Sequence, residues 1–139
     1  MAGKCNKVSL RCFTDEPKVE FISEALGISP SQVAIKGDLA SSRNPKSMRF
    51  PQSVWILESA APSRVSIDDH ADALLRRMEA RVAQFQSIRS RLASVDFHCY
   101  IDVAGEQAGI SASSVLLARL AAFGVALELD IYVTTEAEK

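Results

Sequence analysis

The sequence predicts an α+β protein in which a mainly antiparallel sheet, with roughly four to five strands, carries about three helices packed on one face. Three observations lead to this fold class. Apolar and polar residues alternate in several short segments, apolar residues recur every three or four positions in others, and glycines follow the helical segments. The length of 139 residues suits one domain, so we expect a single α+β domain over residues 1–139.

The first half of the chain contains three predicted strands and one short helix. Residues 7–13 alternate in character, which is typical of a strand with two different faces. A helix follows and ends at Gly27, where a left-handed stop is favoured. We expect a brief strand at Gln32–Lys36 and another at Val54–Glu58. Between them, Leu39–Gln52 is rich in Ser, Pro and basic residues, so we expect a mobile loop there.

The second half begins with the strongest helical pattern of the sequence. From a capping residue at Ser66, apolar residues recur at helical spacing as far as Leu92, which predicts one long amphipathic helix. His70 falls in its first turn, where we expect it to be exposed. Asp96–Val103 and 125–133 then alternate as strands, and a capped helix that ends at a glycine lies between them.

The order of the first six elements suggests a topology. Strand, helix, strand, strand, helix, strand is the sequence of a ferredoxin-like unit, to which this chain adds a further helix and strand. Such a sheet has helices on one face only, which leaves the other face open to solvent.

The other side of the long predicted helix carries a group of arginines. Its members are Arg76, Arg77, Arg81, Arg89 and Arg91. They have two interpretations, a solvated face whose aliphatic stems cover apolar surface, or a surface for an acidic partner.

Composition excludes several classes of function. The chain has 16 Lys and Arg against 17 Asp and Glu, so its net charge gives no reason to expect a nucleic-acid partner. It has no apolar run of about 20 residues and no signal-peptide pattern, so we expect a cytoplasmic protein without a membrane partner. The cysteines, Cys5, Cys12 and Cys99, form no CxxC pair, so we expect free and mostly buried thiols.

The segment DFHCYIDV, residues 96–103, places a histidine beside a cysteine and between acids. In an extended strand neighbouring side chains point to opposite faces, so His98 and Cys99 cannot bind one metal ion together. The sequence also lacks a Gly-rich phosphate loop, a GxSxG elbow and an HExxH pair. We therefore expect no metal, no cofactor and no enzymatic activity.

The polar faces of the strands carry the residues that we predict for partner binding. Aromatic side chains mixed with Arg, His and acids are typical of interaction surfaces. A solubilising surface with cross-strand charge pairs explains the same alternation, which does not choose between the two. The candidate residues are Arg11, Trp55, His98, Tyr100, Asp102, Glu128, Asp130 and Tyr132.

The basic loop offers an alternative site. Arg43, Lys46 and Arg49 would receive an anion in a cleft between the loop and the sheet. This version of the function is a small-ligand binder or a small enzyme. A third hypothesis is a homodimer, because the edge strands of an open sheet can pair between copies.

Short motifs spread along the chain resemble those of a known family. They are LGISP at 26–30, KGD at 36–38, Trp55 after the basic loop, and LARLAAFG at 117–124 leading into LDIYV at 129–133. The chain resembles the bacterial and phage family known as domain of unknown function number four-two-seven-nine, over nearly its whole length.

This resemblance implies no catalytic residues and no activity. Some small α+β proteins of this kind are similar to immunity proteins, which neutralise a toxin by covering it. Together with the open sheet face, the sequence predicts a non-catalytic protein-binding module, either of immunity type or another interaction protein.

Overall fold

The computed structural model describes residues 7–62, 65–104 and 110–134. A 3₁₀ turn at Arg89–Arg91 precedes the fourth strand. The helices and strands are β1 (Lys7–Thr14), α1 (Glu20–Leu26), β2 (Gln32–Ala34), β3 (Ser53–Glu58), α2 (Ile67–Glu79), α3 (Val82–Ile88), β4 (Ser94–Ala104), α4 (Ser114–Phe123) and β5 (Ala126–Thr134).

The strands form one sheet in the order β2-β3-β1-β4-β5. β1 is antiparallel to both β3 and β4, β2 is antiparallel to β3, and β5 is parallel to β4. The predicted α+β class is therefore confirmed, and β2-β3-β1-β4 is the order of a ferredoxin-like unit. The added α4 and β5 make the sheet mixed, since a helical crossover between adjacent strands leaves them parallel.

The core lies between the sheet and the helices, which cover one face among the described residues. Alternate residues of β1 and β4 supply the sheet side of this core, and apolar stripes of α1 and α2 supply the other side. Each of the central contributors is at most 2% exposed: Val8, Leu10, Cys12, Phe97, Cys99, Ile101, Ile22, Leu74, Leu75 and Met78.

Trp55 belongs to this core, which corrects its predicted place among the partner-binding residues. Its side chain is 0% exposed, and its indole N–H donates a hydrogen bond to Ser23 Oγ at 2.8 Å. The cause is the strand register, which pairs Trp55 with the buried Cys12 of β1. Paired residues point to the same face of a sheet, so Trp55 must lie on the helix side.

The predicted long helix is interrupted at Ala80 and Arg81, so the prediction of one continuous helix is wrong. Arg81 leaves helical geometry at φ −133° and ψ 39°. Its guanidinium donates hydrogen bonds to the carbonyl oxygens of Ala25, at 3.1 Å, and Glu24, at 3.3 Å. These carbonyls lie in the last turn of α1 and have no partner within that helix. After the interruption, Phe85 and Ile88 of α3 are buried.

The arginines predicted for one helix face divide into two groups, because the helix is broken: Arg76, Arg77 and Arg81 line one surface depression, whereas Arg89 and Arg91 follow α3. Arg91 makes a two-pronged ion pair with Glu16, at 2.6 and 2.8 Å, and its guanidinium lies 3.8 Å from the Phe21 ring centre. Arg76 pairs with Asp72 one helical turn away at 2.8 Å.

His70 is buried, in contrast to the expected exposure. It is 1% exposed, and its ring Nδ1 lies 3.1 Å from Ser59 Oγ. Ile67 and Leu74 lie three residues before and four residues after it, on the buried stripe of α2. Helical spacing therefore places the imidazole in the core, although the chain position is close to the helix start.

The basic loop is a hydrogen-bonded hairpin, where the sequence predicted a mobile segment. Ala40 N–H donates to Met48 O at 2.7 Å, and Phe50 N–H donates to Asp38 O at 2.9 Å. Gly37, at φ 89°, adopts the left-handed conformation that glycine tolerates best. These bonds satisfy backbone groups that would otherwise need water.

Helix α4 begins and ends as predicted, with the Ser113 hydroxyl accepting from Leu116 N–H and with a left-handed Gly124 at φ 67°. Arg119 fastens it to α2. Its guanidinium donates to both carboxylate oxygens of Glu79, at 2.7 and 3.0 Å, and to Asp72 at 3.0 Å. No described helix is long and apolar enough to cross a membrane.

We predict that Trp55→Ala lowers the free energy of unfolding by about 3–5 kcal/mol, because it leaves a large cavity in the core. Urea denaturation followed by circular dichroism measures this change. Tyr132→Ala is the control, since Tyr132 is 49% exposed and its loss should cost less than about 1 kcal/mol. Equal losses in the two variants would contradict the placement of Trp55.

We predict that Arg119→Leu weakens the acid dependence of stability. Hydrogen bonds from Arg119 are the main cause that lowers the pKa of both Glu79 and Asp72. A carboxyl with a lowered folded pKa stabilises the protein above its unfolded pKa, near 4, and this contribution is lost as the pH falls through the folded pKa. Urea unfolding at several pH values from 7 to below 4 should therefore show a steeper acid loss for the wild type.

The matched control for this experiment is Arg77→Leu, which removes an exposed arginine of α2, the helix that Arg119 contacts. It should keep the wild-type slope of stability against pH. A parallel loss of stability at every pH in Arg119→Leu would contradict the proposed role of the ion pairs.

Candidate functional site

The candidate site is the open face, by which we mean the side of the sheet opposite the helices. Alternation along β1 points Lys7, Ser9 and Arg11 to this face. The register of β4 sets Tyr100 beside Lys7, His98 beside Ser9 and Asp96 beside Arg11. In turn β5 sets Glu128 beside His98, Asp130 beside Tyr100 and Tyr132 beside Asp102.

A depression of about 530 Å³ lies in the open face. Ser9 is a small residue between the long side chains of Lys7 and Arg11, so it forms the floor of the depression and is only 4% exposed. Residues of β3, β1, β4 and β5 line the depression, and one residue of β2 lies at its rim. It is lined by Lys7, Ser9, Arg11, Gln32, Ile56, Glu58, His98, Tyr100, Asp130 and Tyr132.

One wall of the depression is fixed by an ion pair between β1 and β4. Arg11 donates two parallel hydrogen bonds to the Asp96 carboxylate, at 2.7 and 2.8 Å. This hydrogen bonding is the main cause that raises the pKa of Arg11, and the negative charges of Glu128 and Asp130 add to it. The guanidinium also lies 5.2 Å from the Phe13 ring centre, so its position is held from two sides.

The opposite wall is an aromatic pair with a polar tip. The rings of Tyr100 and Tyr132 lie 5.0 Å apart at an angle of 36°. The Tyr132 hydroxyl donates to Asp130 Oδ2 at 3.1 Å, and His98 Nε2 lies 3.4 Å from the same oxygen. The hydrogen bond to Asp130 is the first cause that raises the pKa of Tyr132, so the phenol stays protonated.

Negative charge dominates the open face on its β5 side. Lys7 pairs with Glu58 at 3.1 Å, and Arg11 pairs with Asp96. Both cations are therefore matched by carboxylates of β3 and β4. Glu128 and Asp130 remain as the further carboxylates of β5, and they give this side of the face its net charge.

A family model identifies what kind of chain this is. The model described as Domain of unknown function (DUF4279) matches residues 3–134. The chain belongs to this family. The resemblance in the short motifs is thus confirmed over nearly the whole sequence. Neither a curated protein nor a solved structure matches the chain.

The structure of this DUF4279 member brings most of the predicted binding residues together. Five of them line the depression, and Asp102 and Glu128 lie on the same face beside it. Trp55 is the exception, because it is in the core. The five are Arg11, His98, Tyr100, Asp130 and Tyr132.

Sequence reasoning missed the β3 side of the depression and its floor. Lys7 and Ser9 lie at alternate positions of β1 with Arg11, and Glu58 lies two residues after Ile56 on β3. Each of them therefore points to the same face as its alternate neighbour. Alternation therefore contained the signal for these residues. For β3, the polar Glu58 marks the open face, which would have placed Trp55 on the other side.

The residues predicted for anion binding lie in the hairpin and do not line the depression. Arg49 donates a hydrogen bond to the Gly37 carbonyl at 2.7 Å, so its guanidinium holds the hairpin together. Arg43 and Lys46 are exposed in the same hairpin, where Lys46 N–H donates to the Asn44 side chain.

The histidine, cysteine and acidic side chains around the site differ in direction and exposure. Within the described ranges, no group of three His, Cys, Asp or Glu residues is arranged to hold a metal ion. His98 and Cys99 point to opposite faces, as predicted, and Cys99 is 0% exposed. Burial raises the pKa of the Cys12 thiol to about 12, which keeps it in the unreactive protonated form. Cys5 lies outside the described residues.

Proposed function

We propose that this protein is a non-catalytic binding module that holds a protein partner against the open face of its sheet. The depression in that face carries the proposal. It combines a tyrosine pair, an arginine fixed by Asp96, a histidine and carboxylates on one surface. Tyrosine and arginine are enriched where interfaces gain most of their binding energy, and a fixed side chain loses little entropy when it binds.

The charge of the face defines the class of partner. Lys7 and Arg11 are already engaged with Glu58 and Asp96, whereas the carboxylates of β5 add negative charge on the outer side. A partner surface rich in Lys and Arg would complement this charge, and a cationic side chain would also be attracted to the faces of Tyr100 and Tyr132.

One kind of protein that binds a partner in this way is an immunity protein, which neutralises a toxin by covering it. This version rests on an analogy with other small α+β proteins that act as immunity proteins, and the acidic face would complement a basic surface on the toxin. We propose a bacterial cell as the setting and the cytoplasm as the location.

The first test is capture of the partner from the lysate of the native host by the tagged protein. Glu128→Lys with Asp130→Lys should abolish retention of a stoichiometric partner, because it reverses the charge of the β5 side. The matched control is Glu24→Lys with Asp38→Lys, which makes the same change in net charge at exposed sites away from the open face. Circular dichroism should show that both variants are folded.

The proposal is supported if the wild type and the control retain one partner that the open-face variant loses. Retention by all three proteins would exclude the open face as the binding surface. If none retains a partner, the protein-binding function is contradicted.

The volume of the depression favours a second candidate function. Small-molecule sites commonly measure about 300–1,000 Å³, and the depression falls in this range at about 530 Å³. A small ligand that carries a carboxylate or a phosphate would meet Arg11 and Lys7 in the lining of the depression, where it would compete with Asp96 and Glu58 for these cations. In this alternative the site lies on the sheet, and not at Arg43, Lys46 and Arg49.

A ligand of this kind should raise the melting temperature of the wild type, because it binds the folded state alone. We predict that Ser9→Leu removes the shift, since the larger side chain fills the floor. A screen of carboxylates and phosphates by thermal unfolding measures this effect. Arg43→Gln with Lys46→Gln is the control and should keep the shift. Loss of the shift in the control alone would instead support the loop site.

A further inference from the structure

The two edges of the sheet differ in the protection that they receive. At one edge β2 has 3 residues, and a short edge strand is a poor template for pairing with another chain. At the other edge β5 has 9 residues. Its sequence ALELDIYVT contains neither lysine nor proline, the residues that commonly block strand addition.

The helix layer stops short of β5. Phe97, Cys99 and Ile101 on β4 are 0% exposed under the helices. Their register partners on β5 are Leu127, Leu129 and Ile131. Leu129 is 44% and Ile131 49% exposed. Side chains are thus fully buried on β4 but about half exposed on the adjacent strand β5. The edge of the helix layer lies between these two strands.

The uncovered side continues to the end of the strand, where Val133 is 62% exposed. Leu129, Ile131 and Val133 thus form an apolar row on the helix side of β5, which we call the β5 row. An exposed row of large aliphatic side chains on an unprotected edge is typical of a surface that another strand covers.

Helix α4 cannot cover the β5 row because three contacts draw it toward α2 and α3. Arg119 pairs with Glu79 and Asp72 of α2. At the start of α4 the Ser113 N–H donates to Asp68 at 3.0 Å, and at its end Phe123 packs edge-on against Phe85 with ring centres 5.8 Å apart.

The side of α4 remote from Arg119 adds to the apolar surface. At 100° per residue, Leu117 lies about 160° around the helix from Arg119, on the side away from α2. Leu117 is 47% exposed. The helix side that overlooks β5 is therefore apolar as well.

The opposite side of β5 carries the acidic residues of the open face. Glu128 and Asp130 alternate with Leu129 and Ile131, so the strand presents carboxylates to one side and aliphatic side chains to the other. A strand added to this edge would need the complementary alternation, with cationic residues on the open side and aliphatic residues on the helix side.

We infer that β5 is a docking edge for an extended segment of a partner protein in which Lys or Arg alternates with aliphatic residues. The segment pairs its backbone with β5 and adds a sixth strand to the sheet. Its aliphatic side chains cover the β5 row, and its cations reach Glu128 and Asp130. The inference rests on the proposed function in that it describes how a basic partner reaches the open face.

A second copy of the chain fits this edge less well. A two-fold antiparallel pair of β5 strands would place Glu128 and Asp130 of both copies on the same face, directly across from one another when the pair is centred near Leu129. Like charges directly across neighbouring strands are destabilising. Charge complementarity therefore favours a basic partner segment over self-pairing.

The test uses a fluorescent nine-residue peptide, KVKVKVKVK with blocked ends, and measures binding to the full chain by fluorescence anisotropy. A peptide of the same composition in the order KKVVKKVVK controls for charge attraction alone. We expect binding of the alternating peptide only. Ile131→Lys and Val133→Lys should each weaken it at least about tenfold, because a charged side chain in the β5 row cannot be buried against the valines of the peptide without cost.

The matched control is Val115→Lys. Val115 is 67% exposed on α4, and at 100° per residue it lies about 40° from Arg119, on the side toward α2. This variant introduces the same charge away from β5 and should bind the alternating peptide like the wild type.

Backbone pairing itself is tested with two N-methylated forms of the peptide, one methylated on the valines and one on the lysines. Successive N–H groups of a strand point to opposite edges, so only one set can face β5. One form should lose binding and the other should keep it. Equal binding by both forms, or binding that Ile131→Lys leaves unchanged, would overturn the inference.

The two proposals can fail separately. A host partner that is lost with Glu128→Lys and Asp130→Lys but retained by Ile131→Lys supports the open face and overturns strand addition. Peptide binding that depends on Ile131 and not on the β5 carboxylates supports the edge while contradicting the acidic face. Self-association that Ile131→Lys abolishes, without peptide binding, would assign the edge to a second copy and overturn the inference.

Discussion

In a sheet, a shift of one residue in strand pairing moves every side chain to the opposite face. The pairing of β1 with both β3 and β4 is therefore the constraint on which the rest of the structure depends. It directs Val8, Leu10 and Cys12 into the core and Ser9 and Arg11 to the open face. The same strand register therefore determines both which side chains form the core and which line the depression.

The ion pairs build on this register at two levels. Arg11 and Asp96 join the central strands on the open face, where each is partly buried. Arg119 joins α4 to α2 on the helix side. The first pair holds the Arg11 guanidinium in place on the open face, and the second holds α4 beside α2.

The same arrangement is the reason that we propose recognition and not catalysis. His98 and Asp130 are close, but they lie on a wide, solvent-facing sheet with Tyr132 bound to the same carboxylate oxygen. Catalytic groups usually lie in a cleft, where burial and neighbouring charges shift their pKa values. Here the buried candidates, Cys12 and His70, are enclosed in the core, where no substrate would reach them.

Much of the fold could be predicted, because its signals are local. Alternation marked β1, β4 and β5, the capping serines and Gly27 and Gly124 marked helix ends, and the order of elements indicated the ferredoxin-like topology. These patterns depend on residues only a few positions apart. They also placed most of the candidate binding residues on one face.

Two of the errors, at Trp55 and at the helix break, involve contacts between residues far apart in the chain, whereas helical spacing already carried the signal for the burial of His70. Trp55 is in the core because its strand pairs with Cys12, and the helix breaks at Arg81 because carbonyl oxygens of α1 accept from its side chain. The sequence by itself determined the elements, their order and their two-sided character, since backbone geometry ties these to local spacing. Only the tertiary structure decided which strands are neighbours and how exposed Leu129 and Ile131 of β5 are, because both depend on contacts between residues far apart in the chain.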